Sequence, residues 1–257
     1  MPAAGAPKTR YEIHPHKVDA ALRYYAVIEL LAERYRPDLR ILEVGSGSGG
    51  VTEFLLHPVT GVDPAFERTA DRKTGWLKPV AGSAEALPFP DRSFDAVLSV
   101  EMLEHVPPET RERVLGELFR VVAPGGRLIV TFPADAVGER LDRRLNTAYR
   151  ARFGKDHPWL AEHLANGLPS TDEVRATAER IARATDTGAT VTVTKHAWAP
   201  GWLLHQLLFS AQKGFPVTLW LGIHTRWGAR VLFRILRRLN FGENCYRTIV
   251  VIDRPPG

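Results

Sequence analysis

The chain has 257 residues, of which 44% are hydrophobic and 25% charged, a composition that excludes a disordered or fibrous protein and suits one α/β domain with additions. A single cysteine, Cys245, has no internal partner for a disulfide, which points to a reducing, cytoplasmic compartment and away from a secreted disulfide scaffold. The net charge of +5 is unevenly placed: Ala197–Asn240 has no Asp or Glu but carries Lys213, Arg226, Arg230, Arg234, Arg237 and Arg238.

Residues 1–10 read as a small, polar, disordered tail without the apolar run of a signal peptide. Residues 11–257 are expected to form one domain. No stretch reaches the roughly 20 apolar residues that a membrane-spanning helix needs. From His16 to Arg36, Val18, Leu22, Tyr25, Ile28, Leu31 and Ala32 recur at helical spacing, and Pro37 closes the helix. Strands are predicted at Leu39–Val44, Val59–Val62, Val80–Ala81, Phe94–Ser99 and Arg127–Phe132. A glycine-rich turn, Gly45–Gly50, and a short helix ending near Leu56 follow the first strand. An amphipathic helix, Arg111–Val122, precedes the fifth, with Pro124-Gly125-Gly126 as its terminator. Beyond Pro133 the segment Ala134–Leu168 reads as irregular, followed by a helix at Thr171–Ala184 capped by Thr171 or Ser170. Late strands are expected at Thr190–Val193 and Thr248–Ile252.

Strands alternating with helices imply a Rossmann-like, mostly parallel seven-stranded α/β sheet with helices on both faces. Its core would occupy about 39–133, a substrate cap about 134–185, and a helical insertion between strands six and seven about 197–240.

The strongest local signal is Glu43-Val44-Gly45-Ser46-Gly47-Ser48-Gly49-Gly50, between a strand and a helix. Glycines there let the backbone turn sharply and approach a ligand. Asp63, at the end of the next strand, can accept both hydroxyls of a ribose. Gly45, Gly47 and Gly50 also fit the G-x-G-x-x-G dinucleotide fingerprint, so the glycines alone leave a nicotinamide oxidoreductase open. Glu43 points toward the turn, where it could orient the loop or hold a cationic amino group; a carboxylate there suits a pyrophosphate poorly.

These residues bring out a family resemblance. LEVGSGSGG, GVD ending at Asp63, VAGSAEALPFPDRSFDAVLSVEMLEHV and RVVAPGGRLIVTFP together resemble the class I S-adenosylmethionine-dependent methyltransferases over roughly Leu39–Pro133. The resemblance implies S-adenosylmethionine as cofactor. Gly45, Ser46 and Gly47 would lie near its methionine part, Asp63 at its ribose, Gly82, Ser83 and Ala84 at its adenine, and Ser99, Val100 and Glu101 on the pocket floor. The family usually has Asp where Ser83 stands, so a neutral and weaker acceptor would face the adenine amino group.

Glu101, Glu104 and His105 follow the fourth strand at offsets that share a helical face. The Glu-x-x-Glu-His pattern resembles ubiquinone-pathway O-methyltransferases, which implies Mg²⁺ held by oxygen ligands. The LEH sequence also occurs in the superfamily without metal, and the expectation is that none is required. FGKDHPWLAEHLANGLPS (Phe153–Ser170) resembles a segment of methyltransferases from glycan and natural-product gene neighbourhoods. An alcohol acceptor needs a base, and His157, His163, His105 and His196 are the candidates, with Asp156 or Glu162 available to orient an imidazole. The acceptor is expected to be a glycan, a lipid-linked molecule or a natural product, methylated on oxygen. A non-catalytic S-adenosylmethionine-binding or membrane-adaptor protein is the alternative of a different class.

Residues 198–239 combine the apolar runs Trp198–Leu208 and Phe215–Ile223 with arginines at helical spacing. They could serve as a lid, a homodimer contact or a peripheral contact with the inner membrane. Nucleic acid is not expected, because the tryptophans stand in apolar runs rather than along a polar groove.

Overall fold

A computed structural model describes residues 6–10, 17–47, 49–67, 74–185, 188–209, 225–239 and 243–257. The expectations placed on residues 1–5, His16, Ser48, Lys213 and Phe215–Ile223 lie outside them; the described end of the expected disordered tail is ordered, with residues 8–10 bridged antiparallel to 54–56.

The described residues form a seven-stranded sheet of order β3-β2-β1-β4-β5-β7-β6. The strands are β1 (Ile41–Val44), β2 (Val59–Val62), β3 (Leu77–Val80), β4 (Phe94–Val100), β5 (Val122–Pro133), β6 (Thr190–Trp198) and β7 (Cys245–Asp253). β1 to β5 pair in parallel, while β7 runs antiparallel between β5 and β6. β1 is buried along its whole length, as a central parallel strand covered on both faces should be.

Helices cover both faces. α1 (Val18–Ala32) lays Val18, Ala21, Leu22, Ile28 and Leu31 on one face of the sheet. α2 (Arg111–Arg120) and α5 (Thr171–Thr185) cover the other, through Val114, Leu118 and Phe119 and through Val174, Ala178 and Ala182.

Several local expectations need correction. The segment after β5 is not irregular. It forms α3 (Asp135–Phe153) and α4 (Pro158–Asn166). The inward stripe of α3 is Gly138, Leu141, Asp142 and Asn146, so two polar residues hide the helical period. Its boundary signals were nevertheless present: Gly154 closes α3 at φ +70°, Pro158 opens α4, and Gly167 ends it. The short helix after the glycine turn is a single 3₁₀ turn, Gly50–Glu53. Pro124-Gly125-Gly126 falls inside β5, where Gly125 (φ +73°) marks a register shift between Phe94–Val122 and Ala96–Arg127 pairing.

The insertion contributes α6 (Ala199–Phe209) and α7 (Arg226–Leu236). Thr225 caps α7, its hydroxyl accepting from the Gly228 amide at 2.9 Å. α7 packs on α1 through buried Ala229 and Phe233. Phe233 meets Tyr25 edge-on, and the Arg237 guanidinium lies 5.0 Å from the Tyr25 ring centre. The seam therefore runs through 229 and 233, leaving Trp227 and Ile235 exposed. No helix among the described residues is long and apolar enough to cross a membrane.

Candidate functional site

One cavity of about 1050 Å³ opens at the carboxyl ends of β1, β2 and β4, beneath α3 and α4. Its two ends are built differently.

The first end is mostly backbone. Gly45 (φ +78°) donates its amide to the Val62 carbonyl at 2.8 Å, and a Cβ there would lie 2.5 Å from Met102 Cγ. Gly47 (φ +51°) donates to Asp63 Oδ2 at 2.9 Å, joining the loop to the end of β2. A Cβ at Gly47 would meet nothing within 4 Å, so the loop leaves an open cradle at this point. Gly50 (φ +53°) has no such room, because a Cβ would collide with the Glu43 carboxylate.

Glu43 does not line the cavity. It is buried beneath the loop, accepting from the Val51 amide at 2.7 Å and the Tyr24 hydroxyl at 2.9 Å. Burial pushes its carboxyl up to about 7. Gly45, Ser46, Gly47, Asp63, Gly82, Ser83, Ala84, Val100 and Glu101 all line the cavity. Ser99 is fully buried within β4, outside that lining. The Ser83 hydroxyl accepts from the Glu85 amide at 3.2 Å. The glycine cradle, the acid at the tip of β2 and the turn at Gly82–Ala84, the residues expected at the cofactor, are thus brought together in one cavity.

The other end is made of side chains from distant parts of the chain. Glu101, in the left-handed region at φ +53°, accepts from Arg247 Nε at 3.0 Å. Arg247, 2% exposed, also donates to Asp19 Oδ1 at 3.0 Å, and Asp19 receives Arg23 and the Trp202 indole as well. Burial opposes the Arg247 charge, but Glu101 and Asp19 more than compensate and hold it protonated. Glu101 is thus an ion-pair partner of β7 and stands apart from the other two residues of the expected metal set.

Glu104 and His105 lie on a 3₁₀ turn (Leu103–His105) and meet His163 of α4. His163 Nδ1 lies 3.0 Å from Asp142 Oδ2, and Asp142 Oδ1 accepts from the Tyr246 hydroxyl at 2.8 Å. His105 Nδ1 lies 3.0 Å from Glu162 Oε2. Burial, then the charge of Glu101, raises the Glu104 carboxyl well above the usual range. Burial, then His163, lowers His105, so its imidazole is neutral near pH 7.

Three of the four candidate histidines, His105, His157 and His163, line the cavity. His157 packs between Tyr149 and Trp159, and burial lowers its pKa. His196 is buried outside the lining, where burial and then Arg247 push it down to about 4. Asp156 orients no imidazole. It pairs with Arg150 and accepts from Asn146. The carboxylate on His163 is Asp142, which sequence reading missed. It belongs to the 138–142–146 stripe of α3 and would have stood out had that helix been recognised.

Comparisons agree with this geometry. A family model described as "Methyltransferase domain" matches residues 42–130. A ubiquinone/menaquinone biosynthesis C-methyltransferase, UbiE, from Methylobacterium nodulans is 38% identical over 113 residues, covering 39% of this chain and 44% of that protein. A sterol 24-C-methyltransferase from Neurospora crassa is 37% identical over 103 residues, covering 35% and 27%. The chain therefore spans less than half the length of these two curated relatives. A solved S-adenosylmethionine-dependent methyltransferase from Thermotoga maritima, titled a possible histamine N-methyltransferase, shares the fold at TM-score 0.55 and 17% identity, over 93% of this chain and 91% of that one. Residues 42–130 thus match a methyltransferase domain, the chain has the fold of class I S-adenosylmethionine-dependent methyltransferases, and the cofactor these likenesses support is S-adenosylmethionine.

Proposed function

We propose that this protein methylates a hydroxyl group on a small acceptor of the glycan, lipid-linked or natural-product kind. The observation that carries the reading is one shared cavity, which joins the glycine loop and Asp63 to a wall of Glu104, His105 and His163. When bound, S-adenosylmethionine supplies a methyl group on a positively charged sulfur. The glycine loop and Asp63 hold one end of the cavity in a fixed geometry, so attack is chiefly a matter of placing the acceptor oxygen. Tyr149, Phe153 and Trp159 offer aromatic faces on which a ring can stack at the mouth. The histidine wall stands where the acceptor hydroxyl must lose its proton, and a neutral imidazole there is suited to that task.

The test is release of the demethylated cofactor when purified protein meets labelled S-adenosylmethionine and panels of sugars, glycolipids and phenols. Oxygen methylation is expected, and Asp63→Ala should abolish it. The names of the sterol and ubiquinone/menaquinone relatives favour a second reading, transfer to carbon. Product NMR distinguishes a methoxy carbon from a carbon-bound methyl group. A lipid-linked acceptor would meet the outer face of α7, with Trp227, Arg230 and Arg234 exposed. Failure to co-sediment with anionic vesicles at low salt would remove that acceptor class.

A further inference from the structure

Glu104, His105 and His163 each bring a metal-binding atom to within 4.8 Å of the other two. Two of these side chains carry a buried polar atom without a hydrogen-bond partner, Glu104 Oε2 and His163 Nε2, on residues only 1% and 7% exposed. A polar atom left unpaired in the interior is costly, so two in one cluster call for something that binds them.

The surroundings say what. Both imidazoles are held at Nδ1 by a carboxylate, His163 by Asp142 and His105 by Glu162, each at 3.0 Å. A carboxylate fixes the proton on Nδ1 and turns the Nε2 lone pair outward, the support that metal-binding histidines characteristically receive. Asp142 is itself fixed by the Tyr246 hydroxyl. The two rings are tilted by 59° with centres 4.9 Å apart, so they do not stack. Tetrahedral ligands about 2.1 Å from zinc lie roughly 3.4 Å from one another. No pair therefore stands more than about 1.4 Å wider than that spacing.

We propose that Glu104, His105 and His163 form a site for a divalent transition-metal ion of the zinc type. Two imidazoles and one carboxylate suit Zn²⁺ and not Mg²⁺, which takes oxygen ligands and keeps its water. Three protein ligands leave a fourth position, the pattern of a catalytic rather than a structural site, and all three residues line the cavity. The set also departs from the Glu-x-x-Glu-His expectation, because Glu101 is taken by Arg247 and a histidine of the cap stands in its place.

The role of the ion rests on the methyl-transfer reading. At the open position it acts as a Lewis acid toward the acceptor hydroxyl. Holding the ion commits the imidazoles of His105 and His163, so the hydroxyl proton passes to water in their place, and the oxygen–methyl bond forms as the sulfur–methyl bond of the cofactor breaks, the bonding pair remaining on sulfur.

The test uses the full chain, freed of metal by a chelator. Calorimetric titration should find one Zn²⁺ per chain with a Kd below about 1 μM, and no Mg²⁺ binding at millimolar concentration. Co²⁺ should give the visible absorption of a tetrahedral site. Both His163→Ala and the near-isosteric Glu104→Gln should weaken Zn²⁺ by roughly 100-fold or more, and Asp142→Asn by about 10–100-fold. Each variant should keep the rise in melting temperature that S-adenosylmethionine produces. The proposal is overturned if the wild-type chain binds no stoichiometric Zn²⁺, or if binding survives both His163→Ala and Glu104→Gln. Should His163→Ala fail to fold, Glu104→Gln decides. Zinc binding with no methyl transfer would sink the function and leave the site; methyl transfer with no zinc binding would do the reverse.

Discussion

The two ends of the cavity differ in what they are made of. The cofactor end is backbone: left-handed glycines at 45, 47 and 50, and one carboxylate sixteen residues beyond Gly47, tied to its amide. The other end, the proposed acceptor site, is side chains, with Asp19, Glu101, Asp142, His163 and Arg247 drawn from five separate parts of the chain. Backbone cradles are encoded locally, whereas buried charge networks exist only after the chain has closed. The first is robust to distant change. The second depends on every element that contributes to it.

That contrast can be broken most forcefully at Arg247. Arg247→Ala takes the ion-pair partner from Glu101 in a buried site, while Asp19 keeps Arg23 and the Trp202 indole, and we expect a loss of about 3 kcal/mol of unfolding free energy in urea. An unchanged midpoint would mean that this end is not held by its charges. Asp63→Ala should cost two charge-assisted bonds and weaken S-adenosylmethionine by roughly 100-fold with little change in stability, read by calorimetry. A larger loss of stability than of affinity would show the loop to be less self-supporting than its geometry implies. Trp159→Ala sharpens the comparison from the other side. The indole is 68% exposed, so the fold should be unaffected while the acceptor KM rises by about 5–10-fold and cofactor affinity holds.

The smallest effect concerns Glu43. Its carboxyl is pushed up to about 7, above its ordinary 4.5, so the native state keeps a proton that the unfolded chain has released. This group therefore favours the folded state at low pH, and stability falls as pH rises from about 4.5 to 7. Glu43→Gln should flatten that slope in urea melts compared at pH 5 and pH 8. An identical slope in the variant would place the charge of Glu43 elsewhere than in this sealed pocket.

The sequence showed what is periodic or contiguous. β1, β2 and β4, the glycine turn, Asp63 and the mixed seven-stranded sheet were legible because hydrophobic runs and glycines carry them directly. α3 was not, because its buried stripe contains Asp142 and Asn146, whose presence inside is explained only by partners on α4, β7 and the α3–α4 connection. The same blindness hid the carboxylate behind His163 and left Glu101 a pocket-floor residue and metal candidate with no sign of Arg247. A residue 146 positions away leaves no local trace.

The position of β7 has a consequence for synthesis. It follows the other six strands of this sheet in the chain, yet it lies between β5 and β6 and carries Arg247 and Tyr246. As the polypeptide leaves the ribosome, β1 to β5 can pair and shape the glycine loop long before β7 emerges. β6 must wait until β7 slots in beside it, and only then do Asp19, Glu101 and Asp142 gain their β7 partners. A nascent chain should thus acquire its nucleoside cradle early and its acceptor wall last.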